Sequence, residues 1–157
     1  MNWSMKTQFM PIAWLLFSPL SVALFFSAQR GHATPVNEPI QEARQALESK
    51  DFKKAQLILE PLVSQGQAEA EFMLGFIFEA QENDDQSLEM ARRLYQSASE
   101  KGMMEAQIHL GRMLETGRGG VKNSHEAVRL YSLAANQGSD IARFRLKQLL
   151  LMNLSYQ

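Results

Sequence analysis

Residues recur along this chain at a spacing of 36, and that spacing limits the possible folds more than any other feature. Gly66, Gly102 and Gly138 stand in register, as do Ala70, Ala106 and Ala142, Leu74, Leu110 and Leu146, and Ala55, Ala91 and Ala127. A period between about twenty and fifty residues means stacked supersecondary units, none of which buries its apolar face without a neighbour. The pattern predicts an all-α array of about seven helices in antiparallel pairs. Their expected spans are Ile40 to Glu48, Phe52 to Ser64, Ala68 to Ala80, Gln86 to Glu100, Met104 to Thr116, Ser124 to Asn136 and Asp140 to Leu154. Pro61 is expected to bend the second helix. Each of the three glycines follows the second helix of a pair, where a left-handed residue closes the helix.

The alanines carry a second message. Each lies one turn before its leucine, so a small residue lets helix axes approach while the leucine fills the groove beside it. Ala91 with Tyr95 and Ala127 with Tyr131 repeat the device on the partner helices. These tyrosines are read as packing residues.

Residues 1–33 hold no acidic side chain, and their only Lys or Arg are Lys6 and Arg30. A polar start, an apolar run from Met10 to Phe26 and a polar end make the layout of a secretory signal peptide, with Gly31 and Ala33 supplying the small residues for a cut after Ala33. Met5 is an alternative start. The apolar run of about seventeen residues also approaches bilayer length, so an uncleaved inner-membrane anchor is the alternative, weakened by Pro11 and Pro19. Either way the repeats are expected in a bacterial periplasm or secreted. Residues 34–39 hold two prolines and read as a linker before a repeat domain at 40–154.

Beyond residue 33 the chain carries 14 basic and 17 acidic residues, a net charge near −3. That balance argues against nucleic acid as a partner, which calls for a basic face. The chain has no cysteine, which excludes disulfides, thiolate metal sites and a cysteine nucleophile.

Two segments carry a fuller pattern: AEFMLGFIFEAQ followed by ARRLYQSASEKG, and AQIHLGRMLETGRGGV followed by AVRLYSLAANQG. They resemble the Sel-one-like repeat (SLR), a relative of the tetratricopeptide repeat with a longer loop inside each pair. The resemblance covers roughly Ala55 to Leu146. Gln81 and Asn83 stand where the second copy has Gly117 and Gly119, Ser87 and Asn123 replace a loop aspartate, and Lys147 replaces a glycine in the last helix. The resemblance implies a right-handed α-solenoid acting as an adaptor. A cysteine-rich branch described as penicillin-binding or β-lactamase proteins fits poorly, since neither a serine-x-x-lysine nor a lysine-threonine-glycine motif is present.

An enzyme needs converging groups, and few are offered. His109 and His125 stand on different helices with no partner at metal-ligand spacing, so no metal and no cofactor is expected. Gly117 to Gly120 lacks the lysine and preceding strand of a phosphate loop and reads as a turn. In the first helix of each pair, positions unused by the packing pattern form a stripe: Glu69, Met73, Phe76 and Ala80, then Glu105, His109, Arg112 and Thr116, then Ile141, Arg145, Gln148 and Met152. Of these Met73, Phe76, His109, Arg112 and Arg145 are the candidate protein-binding residues on the concave face, with Met73 and Phe76 expected to be exposed. The last helix is rich in leucine where solenoid ends are normally polar, which suggests a homodimer or an envelope partner docking on Leu151. The leading expectation is a non-enzymatic, exported scaffold binding a protein or peptide. The alternative is a cell-wall-binding or β-lactam-hydrolysing envelope protein.

Overall fold

A computed structural model describes residues 37–81 and 84–154, with side chains as far as Leu151. The expected signal segment, its cleavage site after Ala33 and linker residues 34–36 lie outside the described residues, as does the side chain of Met152.

Among the described residues the fold is all-α, with seven helices and no strand: α1 (Asn37–Glu48), α2 (Phe52–Ser64), α3 (Ala68–Gln81), α4 (Asp85–Glu100), α5 (Met104–Thr116), α6 (Ser124–Asn136) and α7 (Asp140–Leu154). Each helix packs chiefly on those before and after it in sequence. That chain of neighbours makes an α-solenoid. No helix among the described residues is long and apolar enough to cross a membrane.

The linker ends sooner than expected, because Asn37 to Pro39 form the first turn of α1. A proline is tolerated there, since the amide it lacks has no intrahelical acceptor anyway. α2 runs through Pro61 to Ser64. Ser124 and Asp140 are first helical residues; the capping oxygens come one position earlier, where Asn123 accepts from the Glu126 amide at 3.0 Å and Ser139 from the Ala142 amide at 3.2 Å. α4 starts at Asp85, capped by Asp84, which accepts from the Ser87 amide at 2.6 Å. The repeat register would have placed its start at Leu88, so the first copy gives part of its loop to an extra turn of helix.

The inter-pair turns follow the glycines. Gly66, Gly102 and Gly138 have φ of 74°, 87° and 102°. In the first turn Lys50 takes the same left-handed conformation, at φ 59°. The repeated alanines Ala55, Ala70, Ala91, Ala106, Ala127 and Ala142 are wholly buried, as are Tyr95 and Tyr131. The core has two clusters, one under α1 to α3 and one under α4 to α7, with Phe72 and Phe78 packed against both.

Gly75 and Gly111, the glycines after each repeated leucine, seat the tyrosines. A Cβ on Gly75 would stand 2.9 Å from the Tyr95 ring, and one on Gly111 would stand 3.0 Å from Tyr131. Lys147 holds the same register in α7 and is exposed. No tyrosine of a further pair needs a seat there among the described residues.

Candidate functional site

The first helices of successive pairs line a groove of about 340 Å³. α1 contributes Arg44, Leu47 and Glu48, α3 contributes Glu69, Phe72, Met73 and Phe76, and α5 contributes Glu105 and His109, with Met103 just before it. The wall residues come from one face of each helix, which is what the 36-residue spacing imposes on helices stacked in parallel. Phe76 is 41% exposed at the groove surface. Met73 is not exposed as the sequence suggested: at 4% it lies in the core with Ile40, Ala43 and Ala46, because the first helix pair leans over it.

Beside the groove a polar cluster joins three helices. The Glu79 side chain is only 8% exposed, at the end of α3. Its carboxylate accepts from the Tyr95 hydroxyl of α4 at 3.0 Å and from Arg112 Nη2 of α5 at 2.7 Å. Arg118 Nη1 lies 3.6 Å away. His109 Nδ1 stands 3.3 Å from Glu79 and also 3.3 Å from Arg112 Nη2. A neutral imidazole can serve one of these neighbours but not both, donating to Glu79 or accepting from Arg112. The His109 ring is packed among aromatics, with centroid distances of 5.3 Å to Phe72, 5.1 Å to Tyr95 and 6.5 Å to Phe76.

Burial alone would push the Glu79 carboxyl up, but His109, Arg112 and Tyr95 together outweigh it and hold it below the usual carboxylate range. The Tyr95 phenol moves far up, first through burial and then through the negative charge of Glu79. It therefore stays a neutral donor. With both Glu79 oxygens engaged by side chains of its own fold, the arrangement braces α3 to α4 and α5. One repeat later the brace recurs, with the Tyr131 hydroxyl donating to Glu115 at 3.0 Å. Burial and Glu115 likewise raise the Tyr131 phenol.

The candidate binding residues thus divide. Met73, Phe76 and His109 line the groove, Met73 from beneath. Arg112 turns onto Glu79. Arg145 lies near enough to Tyr131 to act on its charge state and does not line the groove. The Glu79 brace was not singled out from sequence. Its signal was present, since Glu79 and Tyr95 are 16 residues apart and so are Glu115 and Tyr131. Among the described residues no three His, Cys, Asp or Glu side chains converge as a metal site.

At the far end α7 leaves Ile141, Phe144, Leu150 and Leu151 exposed. Phe144 holds the register of Ile108 and Phe72, and Leu150 that of Leu114 and Phe78. In the two earlier copies those positions pack against the core.

Residues 68–103 and 105–139 each match the family model described as the Sel1 repeat. The fold is similar to the crystal structure of a Sel1 repeat protein from Oxalobacter formigenes, at a TM-score of 0.66 and 26% identity, over 74% of this chain and 46% of that one. It is also similar to c5321, a protective antigen present in uropathogenic Escherichia coli strains displaying an SLR fold, at a TM-score of 0.60 and 20% identity, over 83% of this chain and 32% of that one. The chain therefore spans less than half the length of either protein. No curated protein matches it.

Proposed function

We propose that this protein, a chain carrying two Sel1 repeats in an SLR solenoid, is an exported, non-enzymatic scaffold that holds a protein or peptide in the groove of α1, α3 and α5. One observation carries the reading: Phe76 stands 41% exposed beside buried Met73 and half-buried Leu47, Phe72 and Met103, in a concavity built from successive repeats. An aromatic presented this way is the kind of residue that dominates interface energetics. The Glu79 brace supports the same view, because its polar groups satisfy one another and leave a rigid wall.

The test is crosslinking in intact cells followed by capture of the tagged full chain, comparing wild type with Phe76→Ala. Phe76 lies outside both buried clusters, so its truncation spares the core. A protein recovered with wild type and lost with the variant supports the reading, and a set of partners indifferent to Phe76 overturns it. Export rests on the N-terminal sequence alone. Sequencing the N-terminus of the protein from cells should give Thr34, and a chain retaining residues 1–33 in the membrane would point to the anchor.

Self-association through α7 belongs to the same proposal, because its exposed Phe144 and Leu150 repeat positions that the earlier copies cover, and Leu151 is exposed beside them. Wild type should elute larger than Leu151→Glu in size-exclusion chromatography. Identical monomers would end that part of the reading.

A further inference from the structure

The charges around the groove give its occupant a sign. Glu48, Glu69 and Glu105 all line it, against a single arginine, Arg44. Arg44 is already paired with Glu69. Glu48 and Glu105 are exposed and make no ion pair among the described residues. The other cations nearby face away from the opening's charge balance, since Arg112 and Arg118 are directed at the buried Glu79. The groove therefore has an apolar floor with Phe76 exposed and, at Glu48 and Glu105, rim carboxylates without an ion-pair partner among the described residues.

We infer that the groove takes a cationic peptide segment, one apolar or aromatic side chain seated against Phe76 with lysine or arginine on either side of it, meeting Glu48 and Glu105. This rests on the reading of the groove as a binding site and adds the chemistry of its ligand. An acidic segment is disfavoured, because it would bring its carboxylates beside two glutamates that no side-chain cation pairs with among the described residues. A purely apolar segment would leave that rim without counter-charge.

The test is fluorescence anisotropy with the full chain and a labelled peptide of about ten residues, holding one phenylalanine between two pairs of lysines. Two further peptides replace the lysines by glutamates or the phenylalanine by alanine. The lysine peptide should bind about tenfold or more tighter than the glutamate peptide, the scale of two or three surface charge pairs. Its affinity should fall as salt rises past the screening range. Glu48→Gln with Glu105→Gln should remove most of the difference between the two peptides, and neither exposed residue holds the fold together. Phe76→Ala and the alanine peptide should each weaken binding. Equal affinity for the lysine and glutamate peptides, preference for the glutamate peptide, binding of neither, or indifference to the double glutamine variant overturns the inference. A cellular partner that still depends on Phe76 under those outcomes would leave the scaffold reading standing and remove only the charge assignment.

Discussion

A Cβ placed on Gly75 would meet the Tyr95 ring at 2.9 Å and the Ala91 carbonyl oxygen at 3.3 Å. The ring is wholly buried and its hydroxyl is held by Glu79, so it has nowhere to retreat. Alanine for glycine within a helix ordinarily gains about 0.5–1 kcal/mol. Overpacking a filled core costs about 1–3 kcal/mol, and here it should win. Gly75→Ala is expected to lower stability by about 1 kcal/mol or more in urea unfolding followed by circular dichroism. Gly111→Ala, whose Cβ would stand 3.0 Å from Tyr131, should lose less. A Gly75→Ala protein more stable than wild type would refute the seating of the ring.

Stability should depend on acid through Glu79. Its folded pKa lies below its ordinary value of 4.5, the effect of His109, Arg112 and Tyr95 exceeding that of burial. A depressed carboxyl contributes stability that is fully present above the unfolded pKa and is lost as pH falls through the folded one. The urea midpoint of wild type should therefore drop as pH goes from about 5 to about 3, and Glu79→Gln should show a shallower drop over that window. Asp84 and Glu126 are lowered too, by the Ser87 amide and by Arg129, so some slope will remain in the variant. Parallel profiles for the two proteins would show that the brace adds nothing.

The repeat array was legible in the sequence because packing repeats with the chain. Buried alanines, closing glycines and seated tyrosines must recur wherever one helix pair meets the next, and a fixed spacing exposes them. The groove was legible only in part. Phe76 and His109 were found from their register, but Met73 was misread as exposed because the first helix pair, which lacks the repeat signature, covers it. His109 looked solitary because its neighbours Glu79 and Phe72 are 30 and 37 residues away in sequence. Contacts between turns of a solenoid fall near one period, so they surface only when polar residues are compared in register as the apolar ones were.

The left-handed turn positions differ in residue and should differ in cost. Gly102, at φ 87°, has nothing within 4 Å of where its Cβ would be, so Gly102→Ala isolates the backbone term. That term is about 1 kcal/mol, and Gly102→Asn should recover part of it, since asparagine tolerates this region better. Lys50 is the reverse case, a side-chain-bearing residue at φ 59°. Lys50→Gly should be neutral or stabilising by up to about 1 kcal/mol, because relief in the folded turn offsets the extra freedom of the unfolded chain. Thermal or urea unfolding reads all three, and a destabilised Lys50→Gly would mean that its side chain holds the turn.

The same clamp between helices is built in ionic form in one repeat and in neutral form in the next. Lys101 Nζ lies 2.5 Å from Glu71 Oε1 and 2.8 Å from the Gly66 carbonyl oxygen, tying the end of α4 to the start of α3. One repeat on, Gln137 Nε2 donates to Gln107 Oε1 at 2.9 Å, tying the end of α6 to the start of α5. The Glu71 side chain is 7% exposed and its Oε2 has no hydrogen-bond partner, so this carboxylate depends on Lys101 and on Ser97, which donates at 2.9 Å. Lys101→Gln alone should cost about 2 kcal/mol, less than a fully buried pair because the lysine reaches solvent. Glu71→Gln alone frees a lysine that water can serve, and should cost about 1 kcal/mol or less. The double variant recreates the amide pair of the second repeat and should return to within about 1 kcal/mol of wild type, giving a coupling energy of about 1 kcal/mol or more in the cycle. Additive losses in urea unfolding would mean that the two clamps are not interchangeable and that the ionic form serves something the amide form does not.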